Sequence, residues 1–348
     1  MKAAVLHSKN DIRYEDIDTP IIGENEVLIN VKVSGICGSD IPRVFGDASH
    51  FYPIILGHEF SGVISKIGKR VKSVSVGDSV TGAPLIPCHN CEECKGGDYA
   101  LCKNYSFVGS RVNGSFAEYV KLPEKNVLKL GEKISFRDGA FFEPATIALH
   151  EVTRLDYEGG KNVLVIGCGN IGAFTLQWAK IFGAKKIFVI DIDEKRLELA
   201  KRLGADVTIN STEKNFMGNI NSIKEGTNFD YIYETSGAIE GIKLLFDIAS
   251  NKSKACLIGT PKKNLEFTPK EFEQINRKEF FLTGSWMSYS KDFPGKEWEL
   301  TRKYFEEGKL IVDDESIFKE FPLREAKDAF ELFKQPNKIK GKILLTNL

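Results

Sequence analysis

Four cysteines lie within a segment of fifteen residues, and this cluster constrains the chain more than any other feature. They follow the spacing C-x2-C-x2-C-x7-C and are Cys88, Cys91, Cys94 and Cys102. Short loops between thiolates supply the tetrahedral geometry that zinc requires, and four thiolates leave no open coordination position. The spacing therefore predicts a structural zinc site in a surface lobe at about residues 87–103. The alternatives are buried cysteines without metal and a redox-active C-x-x-C pair.

Length and charge narrow the class of protein. The chain has 348 residues, more than a single hydrophobic core usually serves, so two domains are expected. Lys plus Arg and Asp plus Glu are balanced at 48 each, which disfavours nucleic acid as a partner. No apolar run is long enough to span a membrane, and the N-terminus turns polar too soon for a signal peptide. We therefore expect a cytoplasmic protein, where clustered cysteines favour metal over disulfides.

The hydrophobic pattern changes along the chain and predicts two kinds of domain. Residues 1–151 contain short alternating strands and frequent glycines, which is typical of an irregular all-β domain. Residues 152–285 alternate six apolar strands with helical stretches, which is typical of an α/β fold with a doubly wound parallel sheet. Residues 286–348 return to mixed character, with an amphipathic helix near 323–334 and a final strand at 342–346.

A glycine-rich loop follows the first strand of the α/β region and opens a helix. Its residues are Gly167, Gly169, Asn170, Ile171 and Gly172. Such glycines allow a tight turn and let a pyrophosphate approach the helix N-terminus. Asp191 ends the next strand, where a carboxylate binds the ribose hydroxyls of NAD and repels the 2′-phosphate of NADP. The loop predicts an NAD site that includes Arg196, although this basic residue and Lys195 weaken the preference for NAD. A strand–helix turn without a ligand is the alternative.

A second set of ligand-type residues comes from three separated stretches. Cys37 lies between glycines, His58 follows an apolar run and is predicted to end a strand, and Glu143 lies in an apolar segment where a lone carboxylate is costly. One thiolate, one imidazole and one carboxylate neutralise Zn²⁺ and leave a fourth position open, as in a catalytic zinc site. The spacing alone does not decide between this site and ordinary core residues.

Two neighbours of these residues are open to more than one interpretation. Glu59 is a direct ligand that exchanges with Glu143, a group behind the ligands, or a member of a structural salt bridge. Ser39 relays a proton from the substrate, or it caps a helix that begins at Asp40.

Together these motifs resemble those of the zinc-dependent medium-chain dehydrogenases over nearly the full length of the chain. The matching segments are 35–40, 57–62, 76–78, the four-cysteine lobe and 167–172. Within that family the chain is similar to the polyol dehydrogenase branch, whose catalytic zinc takes Cys, His and Glu. The resemblance implies that Cys37, His58 and Glu143 bind a catalytic zinc, with Glu59 beside them. It also implies two zinc ions per chain and NAD as cofactor.

The same resemblance implies an architecture. The family has a GroES-like, partly β catalytic domain, interrupted by a Rossmann domain, with the cleft between the two. Residues 286–348 would then return to the catalytic domain of residues 1–151. Family members are homodimers or homotetramers, and the same is expected here.

A narrower resemblance is to sugar-alcohol phosphate dehydrogenases of the galactitol 1-phosphate type. The segments that carry it are 37–45, 50–53, 107–111, 284–289 and 294–298. It implies oxidation of a secondary alcohol of a polyol phosphate to a ketose phosphate with NAD. A phosphorylated substrate needs cations near the site, so Arg43 and Arg111 are predicted to bind it, with Trp286 as part of the pocket wall.

The chain departs from the family pattern at one position, and two other functions compete with polyol phosphate oxidation. Many relatives carry a histidine soon after the Cys-Gly-Ser/Thr-Asp motif to finish the proton relay, whereas Pro42 and Arg43 stand here and His50 is a substitute candidate. The first rival is a dehydrogenase of an unphosphorylated, sorbitol-like polyol or of L-threonine. The second is a non-catalytic NAD-binding protein on the same scaffold.

Overall fold

The computed structural model describes residues 1–335 and 338–347. The chain divides into two compact units: unit 1 comprises residues 1–146 and 288–348, and unit 2 comprises residues 147–287. The sequence predicted the two domain boundaries at residues 151/152 and 285/286. Among the described residues, no helix combines the length and the apolar character that crossing a membrane requires.

The first part of unit 1 consists mainly of short strands, but four α-helices lie among them, so the prediction of an all-β domain is corrected. In chain order its elements are β1 (Lys2–Ser8), β2 (Asp11–Asp16), β3 (Glu26–Gly35), α1 (Ile41–Phe45), β4 (Ile54–Ile55), β5 (Glu59–Ile67), β6 (Ser79–Gly82), β7 (Leu85–Ile86), α2 (Glu92–Gly96), β8 (Ser106–Phe107), β9 (Tyr119–Pro123), β10 (Val127–Lys129), α3 (Phe136–Gly139) and α4 (Phe142–Arg154). Helix α4 runs past residue 146 into unit 2. Short 3-10 turns occupy Tyr99–Leu101 and Glu124–Asn126.

Unit 2 alternates strands and helices. Its elements are β11 (Asn162–Ile166), α5 (Asn170–Ile181), β12 (Lys186–Asp191), α6 (Glu194–Leu203), β13 (Val207–Asn210), α7 (Phe216–Lys224), β14 (Tyr231–Glu234), α8 (Ile239–Ile248), β15 (Lys254–Leu257), α9 (Pro269–Phe272), α10 (Gln274–Lys278) and β16 (Phe281–Gly284). The six strands are all parallel and lie in the order β13-β12-β11-β14-β15-β16. This is the 3-2-1-4-5-6 order of a dinucleotide-binding fold, so the predicted doubly wound sheet is confirmed.

Burial explains why these strands read as continuous apolar runs. Residues 163–166 of β11 are all buried, as expected of a strand covered on both faces. Leu164, Phe188 and Ile232, from three adjacent strands, belong to one apolar cluster together with Leu245 of α8. The cluster holds the sheet in place, and the polar carboxyl ends of the strands remain for a ligand.

The chain returns to unit 1 through four further elements. They are α11 (Lys296–Glu306), β17 (Ile317–Pro322), α12 (Ala326–Glu331) and β18 (Lys342–Thr346). The predicted helix near 323–334 consists of α12 with a 3-10 turn at each end, Leu323–Glu325 and Leu332–Lys334. Strand β18 pairs with β3, so the end of the chain adds to a sheet that its beginning started.

The sheets of unit 1 place β3 and β5 at their centre. The largest sheet has the order β10-β6-β5-β3-β18-β17, and β9 also pairs with β3. A smaller sheet has the order β2-β1-β4, and β7 pairs with β8. The antiparallel pairing of β3 with β5 sets Gly35 opposite Glu59, which brings the two segments 35–37 and 58–59 together.

The prediction that His58 ends a strand is wrong. Strand β4 ends at Ile55 and β5 begins at Glu59, so His58 lies in the link between them. The cause is Gly57, whose φ of +93° is incompatible with extended backbone. The resulting turn sends His58 and Glu59 in the direction of Cys37.

Candidate metal centres and cofactor site

The four lobe cysteines converge, as their spacing predicts. Cys88 and Cys91 precede α2, Cys94 lies within it, and Cys102 follows the 3-10 turn 99–101. The four sulfurs lie within 4.8 Å of one another. Cys91 Sγ and Cys102 Sγ are 3.8 Å apart, far beyond the roughly 2.05 Å of a disulfide. The arrangement has the ligand number and type of a structural zinc site.

Backbone donors surround these sulfurs. Cys88 Sγ accepts from the N–H groups of Asn90 at 3.5 Å and Cys91 at 3.4 Å, and these bonds lower the pKa of Cys88 to about 6. Burial raises the pKa of Cys94 to about 12. Four neighbouring sulfurs therefore need a cation before all of them can be thiolates, and this donor set fits zinc.

The lobe is anchored to the returning part of unit 1. The ring of Phe293 lies 5.3 Å from that of Tyr99 and 5.8 Å from that of His89, both in the lobe. Gly97 ends α2 with φ +89°, and a Cβ there would lie 3.2 Å from the Cβ of Lys291. The lobe thus has an apolar contact of its own beside the cysteines.

A second cluster joins Cys37, His58 and Glu59. Their ligand atoms lie within 4.8 Å of one another. Gly35 is required at the base of the cluster, because a Cβ there would lie 2.7 Å from Glu59 Oε2. Three residues from two paired strands and their extensions therefore present sulfur, nitrogen and oxygen to a single point.

Glu143 lies near this cluster without being one of its three members. It is half-buried in the first turn of α4. Burial, followed by the charges of Glu59 and Asp40, raises the pKa of Glu143 to about 7, although His58 and Lys342 act in the opposite direction. Its carboxyl group thus interacts electrostatically with the residues of the cluster.

Lys342 faces the cluster from the first residue of β18, and sequence reasoning missed it. The side chain is 3% exposed, and its Nζ donates to Glu59 Oε2. Burial lowers the pKa of Lys342, but the charges of Glu59 and Cys37 outweigh it, and the pKa is raised overall. A lysine that opens a strand is usually solvated, so the sequence carries no signal for this role.

Asp40 is the second residue that sequence reasoning missed. It is fully buried, its Oδ2 accepts from the Cys37 N–H at 3.0 Å, and its Oδ1 lies 3.7 Å from His58 Nδ1. A carboxylate behind a ligating histidine fixes the orientation and tautomer of the ring. The signal was available in the motif 37–40, where Asp40 was interpreted only as the start of a helix.

Ser39 does not cap a helix. Helix α1 begins at Ile41 after Asp40, and no side chain caps it. Ser39 is exposed, and its N–H lies 3.5 Å from Cys37 Sγ. The capping alternative is therefore wrong, and the hydroxyl is free to face a ligand.

The charges of this second cluster fit a divalent cation. Burial raises the pKa of Cys37 and of Asp40, and the neighbouring acids act in the same direction. Two buried polar atoms, Asp40 Oδ1 and His58 Nδ1, have no hydrogen-bond partner. The charge of Lys342 acts to lower the pKa values of both Cys37 and Glu143. A bound Zn²⁺ would satisfy the remaining negative charge.

Unit 2 contains a cavity of about 650 Å³ at the carboxyl ends of its strands. Four of the predicted cofactor residues line it, namely Gly167, Gly169, Asp191 and Arg196. Asn170, Ile171 and Gly172 form the start of α5 and are not among its lining residues. The sequence missed further lining residues that end the neighbouring strands or open their helices, among them Ser211, Phe216, Thr235 and Ser236.

The glycine loop is shaped by close contacts. Gly167 has φ +90°, and a Cβ on Gly172 would lie 2.0 Å from the Gly167 carbonyl oxygen. Asp191 Oδ2 accepts from the Cys168 N–H at 2.6 Å, so the acid that ends β12 also holds the loop. Arg196 Nη1 lies 3.9 Å from the same oxygen. The cavity therefore presents a carboxylate beside a guanidinium, with the carboxylate already bound to backbone.

The predicted substrate residues fall in both units. Arg43 lies in α1 and is half-buried, and Arg111 is exposed in the loop after β8. Both belong to unit 1. Trp286 belongs to unit 2, just after β16, and is 56% exposed.

Comparison with known proteins defines the class. Residues 23–132 match the alcohol dehydrogenase GroES-like domain, and residues 170–303 match the zinc-binding dehydrogenase family. The chain belongs to the zinc-dependent medium-chain dehydrogenases. The predicted family, enzyme class and cofactors, zinc and NAD, are thereby confirmed.

Individual relatives include enzymes of polyol metabolism. The chain is 39% identical to galactitol 1-phosphate 5-dehydrogenase of Escherichia coli K12, over 99% of both chains. It is 34% identical to sorbitol dehydrogenase of Bacillus subtilis, over 76% of each chain. The crystal structure of galactitol-1-phosphate dehydrogenase from Escherichia coli superposes with a TM-score of 0.94 at 38% identity, covering 99% of this chain and 100% of that one.

Proposed function

We propose that this enzyme oxidises a secondary alcohol of a polyol phosphate with NAD. The first candidate reaction converts galactitol 1-phosphate to a keto-hexose 6-phosphate of the L-tagatose 6-phosphate type. The observation that carries the proposal is the full-length similarity to galactitol 1-phosphate 5-dehydrogenase, together with the Cys37–His58–Glu59 cluster in unit 1. The proposed substrate is a small, water-soluble molecule.

The residues of the second cluster would hold the catalytic zinc. Cys37, His58 and Glu59 converge within ligand distance, and Glu143 is the residue proposed to exchange with Glu59. Asp40 faces His58 Nδ1, which leaves Nε2 for the metal. Cys88, Cys91, Cys94 and Cys102 would hold the structural zinc.

Proton removal is assigned to this chain's own hydroxyl. When bound, zinc supplies Lewis-acid activation of the alcohol oxygen and NAD accepts the hydride. Ser39 is exposed beside Cys37, where its hydroxyl takes the proton of the substrate and passes it to solvent. Lys342 donates to Glu59 Oε2 and would keep that carboxylate oriented beside Cys37 and His58.

NAD is proposed over NADP because Asp191 ends β12 at the cavity. Its buried carboxylate repels a 2′-phosphate, and its backbone bonds keep it in place. Arg196 moderates this preference.

A homodimer, or a tetramer built from it, is proposed as the assembly. Strand β16 has one neighbour, β15, within the described residues, and Phe281 on it is 54% exposed. An uncovered apolar edge strand favours pairing with a second copy. A cytoplasmic location is proposed because seven free cysteines, four of them clustered, suit a reducing compartment.

The decisive experiment is a substrate screen followed at the absorbance of NADH. Galactitol 1-phosphate, other hexitol phosphates, galactitol, sorbitol and L-threonine are compared with NAD, with and without a zinc chelator. The expected result is chelator-sensitive turnover with the highest kcat/KM on a polyol phosphate. Higher kcat/KM on sorbitol would favour the alternative suggested by the Bacillus subtilis relative, and turnover that survives complete removal of zinc would overturn the mechanism.

A further inference from the structure

Three basic side chains of unit 1 come from segments that lie near the second metal cluster. They are Arg43 of α1, His50 of the following loop, and Arg111 of the loop after β8. Partial burial, and then the charges of Arg111 and Arg43, lower the pKa of His50, so both guanidinium groups act on the same ring. Arg43 and His50 are close in sequence, whereas Arg111 follows His50 by 61 positions and comes near them only through the fold.

Each arginine is tied to a segment that carries a metal-ligand residue. Arg43 Nη1 donates to the carbonyl oxygen of Ser39, whose N–H lies 3.5 Å from Cys37 Sγ. The backbone N–H of Arg111 donates to the Phe107 carbonyl oxygen at 2.9 Å, and the Phe107 ring lies 5.5 Å from the ring of His58. Arg43 therefore lies six positions after Cys37, and the backbone of Arg111 is connected to His58 through the Phe107 ring.

Three glycines hold the Arg111 loop against the His58 segment. A Cβ on Gly109 or on Gly114 would lie 2.4 or 2.2 Å, respectively, from the carbonyl oxygen of Gly57. Ser115 N–H donates to that same oxygen at 3.0 Å. Such close backbone packing leaves the loop little freedom, so Arg111 is held in position relative to His58.

Arg43 and Arg111 also differ from the other arginines of unit 1 in their partners. Every other arginine there forms an ion pair with an acid, namely Arg13, Arg70, Arg137, Arg302 and Arg324. Within residues 1–335 and 338–347, no acid forms an ion pair with Arg43 or Arg111. Arg43 Nε is buried without a hydrogen-bond partner, and the Arg111 guanidinium lies 4.5 Å from the Tyr105 ring centre. The charge of Arg43 acts on Asp40, but Asp40 Oδ2 already accepts from the Cys37 N–H.

We propose that Arg43, Arg111 and His50 form the phosphate subsite of the substrate pocket. This inference rests on the proposed oxidation of a polyol phosphate and names the residues that select it. Guanidinium groups bind phosphate oxygens in pairs, and a protonated or neutral imidazole N–H adds a third donor. The phosphate then lies on the cationic cluster while the distal hydroxyl of the carbon chain reaches the Cys37–His58–Glu59 cluster.

The test compares two exposed arginines of unit 1. Arg111→Met keeps the length of the side chain and removes its charge, and Arg70→Met is the matched control, because Arg70 pairs with Glu24 on the surface. For Arg111→Met, we expect the ratio of kcat/KM on galactitol 1-phosphate to that on galactitol to fall about tenfold to a hundredfold, the usual cost of losing one charged contact. The loss should lie mainly in KM. Arg70→Met should leave the ratio at the wild-type value.

A second measurement separates this subsite from a structural role of the loop. Inorganic phosphate should inhibit wild-type oxidation competitively, and it should inhibit Arg111→Met and His50→Gln more weakly by a similar factor. Arg111→Lys should recover part of both the selectivity and the inhibition. An unchanged selectivity ratio in Arg111→Met, or unchanged inhibition by phosphate, would overturn the subsite. If wild-type enzyme oxidises galactitol as well as its phosphate, the proposed substrate fails instead, and the two failures are thus distinct.

Discussion

The two metal-ligand clusters of unit 1 are built in opposite ways. The lobe draws its four sulfurs from fifteen consecutive residues, and its shape follows from short loops and one helical turn. The second cluster takes ligands from residues 37 and 58–59, with Lys342 contacting Glu59 from 283 positions away. The first is a local motif, whereas the second exists only after β3, β5 and β18 have paired.

The clusters also differ in what surrounds their ligands. Lobe sulfurs accept bonds from neighbouring backbone N–H groups, and two of the four cysteines are half-buried. The second cluster is enclosed by a buried lysine and a buried aspartate. The lobe cluster is thus surrounded by local backbone donors, whereas the second cluster is balanced by charged side chains from elsewhere in unit 1.

The strongest way to break this comparison is to remove the sulfur of the second cluster. For Cys37→Ala we expect kcat to fall roughly 10³-fold or more, because several kcal/mol of metal stabilisation are lost. Zinc content should fall from two to one per chain, and NAD should still bind, as measured by fluorescence titration. Cys256→Ala, which removes a buried cysteine of unit 2, is the control. Normal turnover in Cys37→Ala would remove the catalytic metal from these residues.

The buried charges of the second cluster can be tested without activity. Lys342→Met leaves Glu59 buried and unpaired, so we expect the zinc-free protein to lose about 3–5 kcal/mol of unfolding free energy. The double variant with Glu59→Gln should recover part of that loss. Urea unfolding measures both, and Lys309→Met, which breaks an exposed pair with Glu307, should cost under about 1 kcal/mol. Equal losses in the two single variants would show that Lys342 has no special role.

Substitutions in the cysteine lobe should lower the stability of the protein more than they lower its turnover rate. Cys91→Ser is expected to lower the zinc count from two to one per chain and to remove about 3–4 kcal/mol of zinc-linked stabilisation. Elemental analysis gives the count, and limited proteolysis at residues 87–103 reports the loosened lobe. A variant that retains both zinc ions would contradict the structural site.

A buried carboxylate outside both clusters, Glu151, provides a test of burial apart from the metal-ligand residues. Glu151 is fully buried, accepts a hydrogen bond from Thr175, and has its pKa raised well above its usual value by burial. Since the folded state keeps a proton that the unfolded state releases, its contribution to stability is complete below the ordinary pKa near 4.5 and declines as pH rises toward the raised value.

Replacing the Glu151 carboxylate should remove this loss of stability with rising pH. Glu151→Gln should therefore flatten the fall in unfolding free energy between pH 5 and 8, by at most about 1.4 kcal/mol per pH unit. Unfolding curves at several pH values, compared with wild type, measure the slope. An unchanged slope would mean that Glu151 is charged in the folded state.

Sequence reasoning succeeded where chemistry is local and failed where it is not. The six strands within residues 152–285 were predicted from their apolar runs, and the observed parallel sheet contains six strands. The cysteine spacing and the glycine loop similarly predicted features that short segments build alone. Lys342 carried no signal for its neighbourhood, because a lysine that opens a strand is an ordinary residue until strand pairing places it.

The failure at His58 has the same origin. The apolar run before it is typical of a strand, and the positive φ of Gly57 cannot be seen in that run. Whether a glycine turns the chain or continues a strand depends on what packs against it, here Gly109, Gly114 and Phe116.

The bond between the Asp191 carboxylate and the Cys168 N–H links two tasks that engineers usually treat as separate. Exchanging the nucleotide that such an enzyme accepts normally begins by removing the acid at this position. In this chain the same change would also release the Cys168 N–H in the glycine loop that is proposed to bind the pyrophosphate. Redesign toward NADP therefore needs a replacement acceptor for the Cys168 N–H. Without it, the variant will lose affinity for both NAD and NADP.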